Sequence, residues 1–123
     1  MADDDPAVCL IVSKILKQMG HTVEAVHDGQ EAIDLFTVCP DYFHLVITDH
    51  NMPGVRGLEL AGHLRDNGYK GRIVVISGYM SKELERDYEM MDVDKIIEKP
   101  FTVDFLSSTF RDLFAQWNQG TDN

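Results

Sequence analysis

Apolar residues recur along this chain with two different periods. Val8, Ile11, Val12, Ile15, Leu16 and Met19 fall at three- and four-residue steps, the spacing that lines them up on one stripe of an α-helix. Asp5 and Pro6 mark its start as N-cap and first-turn proline, and Gly20 marks its end. Thr22 to Val26 is short and β-branched and closes on His27-Asp28-Gly29, which predicts a strand and a turn. A second helix follows from near Gln30, built on Ala32, Ile33 and Phe36 and closed by Pro40. Leu45-Val46-Ile47-Thr48 is too brief an apolar run for a helix and predicts a strand covered on both faces, with Asp49 directly after it.

The pattern then repeats. Asn51-Met52-Pro53-Gly54 is loop chemistry, and Leu58, Leu60, Ala61 and Leu64 mark a helix ended by Asn67-Gly68. Arg72 to Ser77 predicts another buried strand, Ser81 to Met91 an acidic helix and Lys95 to Glu98 a short strand. Thr102 caps a last helix to Trp117, with a stripe of Phe105, Leu106, Phe110, Leu113, Phe114 and Trp117. Strands alternating with helices of this length predict an α/β fold with a parallel sheet and helices on both faces. There is no internal repeat and no linker, so residues 1–117 form one expected domain and 118–123 a polar tail.

Composition narrows the function more than the fold. The 123 residues carry 11 basic and 21 acidic side chains, a formal charge of −10 that argues against nucleic-acid or anionic-membrane surfaces and for cations or basic proteins as partners. Cys9 and Cys39 lack metal-finger spacing and read as reduced core filler. His21, His27, His44, His50 and His63 are scattered, which suits surface or loop roles and not a zinc site, and the Met90-Met91 pair reads as core packing. Met1 to Asp5 is acidic, unlike a signal segment, and no apolar run approaches the roughly 20 residues of a bilayer span. A soluble, cytoplasmic protein is expected.

Ligands of parallel sheets gather where strands end and loops begin. That rule singles out Asp3-Asp4-Asp5, Asp49, Ser77 and Lys99. Clustered carboxylates repel one another unless a cation sits among them, and magnesium suits oxygen-only ligands. A carboxylate can also attack phosphorus to give an aspartyl-phosphate, while a serine hydroxyl and a lysine ammonium pair with phosphate oxygens.

The order Asp3-Asp4, Asp49, Ser77, Lys99-Pro100 resembles the bacterial response regulator receiver family over nearly the whole chain. Thr48-Asp49-His50-Asn51-Met52-Pro53-Gly54-Val55-Arg56-Gly57 is similar to that family's phosphoacceptor loop, and Lys99-Pro100-Phe101 to its lysine-proline turn. The resemblance implies a flavodoxin-like doubly wound sheet of order 2-1-3-4-5, an order not read from the sequence itself. It implies Asp49 as phosphoacceptor, Mg2+ bound by Asp4, Asp49 and the Asn51 carbonyl with Asp3 as indirect companion, and Ser77 and Lys99 on the phosphoryl oxygens. The implied donor is a histidine kinase or histidine phosphotransfer protein. A domain of this kind acts only on its own phosphorylation and dephosphorylation and is no enzyme toward outside substrates. In keeping with that, Asn51 stands where an aspartyl-nucleophile phosphatase would want a second carboxylate.

Four features depart from the family pattern. Only Met1 and Ala2 precede Asp3, so the first strand is largely missing, and a strand-exchanged or other homodimer is one way to fill the gap. Ile96 stands three residues before Lys99, where many members carry a Tyr or Phe that rotates on activation. Tyr79 is bulky for a position that tunes water access, and Arg56 stands where a helix-capping Asp or Asn is frequent. The rival reading is a phosphorylation-independent interaction module that keeps the fold with an impaired metal site.

Overall fold

The computed structural model describes residues 1–3, 5–52, 54–78 and 80–120, the last three of them by backbone only. Its helices are α1 (Pro6–Gln18), α2 (Gly29–Val38), α3 (Gly57–Asp66), α4 (Lys82–Met90) and α5 (Val103–Gly120), and its strands are β1 (Leu45–Asp49), β2 (Arg72–Ser77) and β3 (Lys95–Glu98). Helix starts follow the expected caps. The Asp5 carboxylate accepts from the Ala7 N–H, that of Asp28 from the Glu31 N–H, and the hydroxyl oxygens of Ser81 and Thr102 accept from the Leu84 and Phe105 N–H groups. Arg56 begins α3 without a side-chain cap. Helix α5 runs on to Gly120, so residues 118–120 belong to that helix and not to a tail, while 121–123 lie outside the described residues.

The three strands are parallel in the order β1-β2-β3, with Ile47 opposite Val74 and Val75 opposite Ile96. Alternation along β2 builds two cores. Ile73 and Val75 face Phe36, Leu60, Leu64 and Tyr88, whereas Val74 and Ile76 face Val12, Leu16, Leu106 and Phe110. Helices α2, α3 and α4 therefore cover one face and α1 and α5 the other, the doubly wound arrangement expected.

The predicted strand at residues 22–26 is absent as a strand. Its trace is a single bridge at Val26, to Ala2. Ala2 bridges Val26 on one side and Thr48 on the other, both parallel. Its N–H donates to the Ile47 carbonyl (2.7 Å) and its carbonyl accepts from the Asp49 N–H (2.8 Å), while the Asp3 N–H donates to the Val26 carbonyl and the Val26 N–H to that of Met1. The sheet thus keeps the order 2-1-3-4-5 with its first two members reduced to bridge positions. Ahead of Met1 lies an open groove of about 1120 Å³, lined by Val23, Glu24, Leu45, Ile47, Phe114 and Trp117 among others.

Some apolar positions depart from expectation. Met90 is 79% exposed, so only Met91 of that pair packs against the core, and Phe105 is half exposed, so the α5 stripe begins at Leu106. Cys9 is buried, Cys39 is half-buried, and both are free thiols. Among the described residues no helix is long and apolar enough to cross a membrane.

Ala2→Pro removes the N–H that holds the chain start to Ile47 and leaves that carbonyl unpaired, a cost of about 1–3 kcal/mol. Urea unfolding of the two proteins measures it, and equal midpoints would mean that this bridge contributes nothing to stability.

Candidate functional site

The C-terminal ends of β1, β2 and β3 deliver Asp49, Ser77 and Lys99 to one edge of the sheet, and the Ala2 bridge delivers Asp3 beside them. Asp3 and Ser77 are fully buried and Asp49 is 4% exposed, so carboxylates that would ordinarily be solvated are held out of water. The Lys99 ammonium lies 3.3 Å from Asp49 Oδ2 and 3.8 Å from Asp3 Oδ2. One lysine therefore faces two acids. The Lys99 N–H also donates to the Ser77 carbonyl (2.7 Å), which fixes the end of β3 against β2, and the Lys99-Pro100 peptide is cis.

The hydrogen bonding of the acids is incomplete. Asp3 Oδ1 accepts from the Asp5 N–H (2.8 Å), but among the described residues the buried Asp3 Oδ2 finds no hydrogen-bond donor. Asp49 Oδ1 has a long contact of 3.4 Å from the Asn51 N–H. Burial pushes the Asp3 carboxyl up to about 6; the Asp5 N–H opposes that rise, the neighbouring Asp49 charge adds to it, and Lys99 offsets part of it. An orphaned buried carboxylate oxygen beside a second carboxylate is what an oxygen-seeking divalent cation would satisfy. Asp4, the expected direct ligand, lies outside the described residues, as does Tyr79. Asn51 is exposed in the loop after Asp49.

Two residues that sequence reasoning passed over belong to this neighbourhood. His50, directly after Asp49, hydrogen-bonds through Nδ1 to the hydroxyl of Tyr88, with the rings edge-on at 5.6 Å. Tyr88 is fully buried, and burial raises its phenol well above the usual range, so it keeps its proton. Burial also lowers His50, with the Arg56 charge acting in the same sense and Asp49 against it. Gly57 is required here: a Cβ would come within 2.6 Å of the Asp49 carbonyl oxygen and 2.8 Å of the Tyr88 hydroxyl. The sequence signal available was a polar aromatic at the inward position of an otherwise hydrophilic helix.

A model of the response regulator receiver domain matches residues 1–111. The chain belongs to that family. It is a phosphoacceptor domain of two-component signalling and not an enzyme in the ordinary sense. Its relatives include the probable chemotaxis protein CheY of Rhizobium etli, 25% identical over 94% of this chain and 90% of the relative, and the response regulator MprA of Mycobacterium avium, 31% identical over 94% of this chain and 50% of the relative. The peroxide stress-activated histidine kinase mak3 of Schizosaccharomyces pombe is 26% identical over the whole chain, which spans only 6% of that protein. Among solved structures, chemotaxis protein CheY4 of Vibrio cholerae superposes with a TM-score of 0.80 at 26% identity, covering 90% of this chain and 92% of its own. A CheY-like receiver domain protein from Methanospirillum hungatei does so at 0.83 and 22% identity, covering 97% and 94%.

The raised Asp3 carboxyl sets a sign for pH dependence. Between its unfolded value near 3.8 and its folded value of about 6, the native protein binds more protons than the unfolded one, so stability falls as pH rises through that window. Urea unfolding from pH 4 to 6.5 without divalent cations should show this fall, and Asp3→Asn should flatten it. Equal slopes for the two proteins would contradict the assignment.

Proposed function

We propose that Asp49 is the phosphoacceptor, that Asp4, Asp49 and the Asn51 carbonyl hold a magnesium ion with Asp3 as indirect companion, and that Ser77 and Lys99 bind the transferred group. The observation that supports this reading is the buried Asp3–Asp49 pair sharing one lysine, with Asp3 Oδ2 left without a hydrogen bond among the described residues. Magnesium, when bound, would offset the charge of the carboxylates and of the phosphoryl oxygens. The donor is a phosphohistidine of a histidine kinase or histidine phosphotransfer protein. An Asp49 carboxylate oxygen forms a bond to phosphorus as the P–N bond breaks, and the electron pair leaves with the imidazole, which takes up a proton.

Lys99 suits its role by position. Its ammonium already lies beside Asp49 and is a point charge on a flexible stem, able to follow the negative charge outward onto the new phosphoryl oxygens. Ser77, at the end of the neighbouring strand, offers a hydroxyl on the same edge. Phosphorylation places about −1.5 to −2 charges where the carboxylate carried one, beside acids that are already poorly solvated. That change of charge is the input that would shift the domain toward a partner-binding form.

Magnesium should bind and quench or shift tyrosine emission, because Tyr88 lies next to the Asp49 loop. Trp117 is a poor reporter, since it packs over Arg72 at the other end of β2. With magnesium and a small phosphodonor such as acetyl phosphate, intact-protein mass spectrometry should show one added phosphoryl group. Asp49→Asn should abolish it, and Lys99→Ala should slow it about 10²-fold. Phosphate incorporation unchanged in Asp49→Asn would overturn the assignment. No magnesium response and no incorporation in the native chain would favour the phosphorylation-independent module.

A further inference from the structure

Helix α4 is unusual in how little holds it down. Of its nine residues, only Tyr88 is buried, and Glu83, Glu85, Arg86, Asp87 and Glu89 make the rest largely hydrophilic. Its C-terminal end is clamped by Arg65, which donates through Nε to the Met91 carbonyl (2.9 Å) and through a terminal nitrogen to that of Asp92 (2.8 Å). The body of the helix is therefore anchored mainly through one ring, with Leu84 packing partly beside it.

That ring ends at the acceptor loop. The Tyr88 hydroxyl meets His50 Nδ1, and the His50 backbone is gripped on both sides: its N–H donates to the Ile76 carbonyl (2.9 Å) and its carbonyl accepts from the Gly57 N–H (3.0 Å). Gly57 leaves no room for a side chain between the Asp49 carbonyl, the His50 backbone and the Tyr88 hydroxyl, so the loop and the ring are close neighbours there. Ile96, by contrast, packs against the same core and has no polar atom beyond its backbone. A side-chain polar connection from the acceptor loop into α4 thus runs through His50 and Tyr88.

We propose that Tyr88 is a positioning residue that, through its hydrogen bond to His50, sets the Asp49 loop and couples the state of Asp49 to the placement of α4. The proposal rests on Asp49 being the phosphoacceptor. Coupling of this kind is reciprocal: what Asp49 does to α4, the Tyr88 anchor does to Asp49. Removing the hydroxyl while keeping the ring should therefore weaken loading of Asp49 several-fold and, at full loading, cut the α4 response to less than half.

The test uses the whole chain, magnesium and beryllofluoride as the phosphoryl mimic, with amide chemical shifts followed by NMR. In the native protein, loading should shift the amides of Asp49 to Met52 and of Lys82 to Met90 together. In Tyr88→Phe at saturating beryllofluoride, the loop amides should still shift and the α4 amides should move less than half as far, with thermal stability close to native. His50→Leu should behave like Tyr88→Phe, whereas His50→Asn, whose side-chain amide stands where Nδ1 does and can still hydrogen-bond the Tyr88 hydroxyl, should retain the α4 response. A full α4 response in loaded Tyr88→Phe and His50→Leu would overturn the coupling while leaving Asp49 as acceptor. Failure of the native chain to load would overturn the acceptor assignment and the coupling with it.

Discussion

The backbone of Ala2 is the hinge between the two ends of this fold. Its N–H and carbonyl take the places on β1 that a full neighbouring strand would have taken, and the Val26 bridge on its other side ties in the segment before α2. Those few bonds keep the chain start inside the sheet. Without them Asp3 would sit on a solvated terminus, and the site at the sheet edge would lose one of its two described carboxylates. Ala2 is buried at 1% exposure and packs into the core that holds Phe36, Leu60 and Tyr88.

Once Asp3 is in place, electrostatics shapes the rest of the site. Two buried acids share the ammonium of Lys99; burial raises the Asp3 carboxyl, and among the described residues its Oδ2 has no hydrogen bond. That oxygen stands at the strand ends of a parallel sheet, where ligands of such sheets gather.

The acceptor loop is held at several points around His50. His50 is held by β2 and by Gly57 through its backbone and by Tyr88 through its ring, and the lightly anchored α4 hangs from Tyr88. A change at Asp49 has a short, densely packed route to an element with few competing contacts.

Taken alone, the amino-acid order determined the helices, the three strands, their caps and the candidate residues Asp49, Ser77 and Lys99. These are local features: apolar periodicity, cap residues and the rule that chemistry collects at strand ends act within a few residues of one another. What the order could not decide is pairing across long separations. That 22–26 fails as a strand depends on how much chain lies beside it; that Met90 points outward depends on the face α4 presents; that His50 meets Tyr88, 38 positions later, depends on the stacking of α3 and α4 around Gly57. The burial of Asp3 is of the same kind. An acidic chain end reads as a solvated tail, and only the hydrogen bonds of Ala2 in the folded sheet carry it out of water and against Asp49 and Lys99.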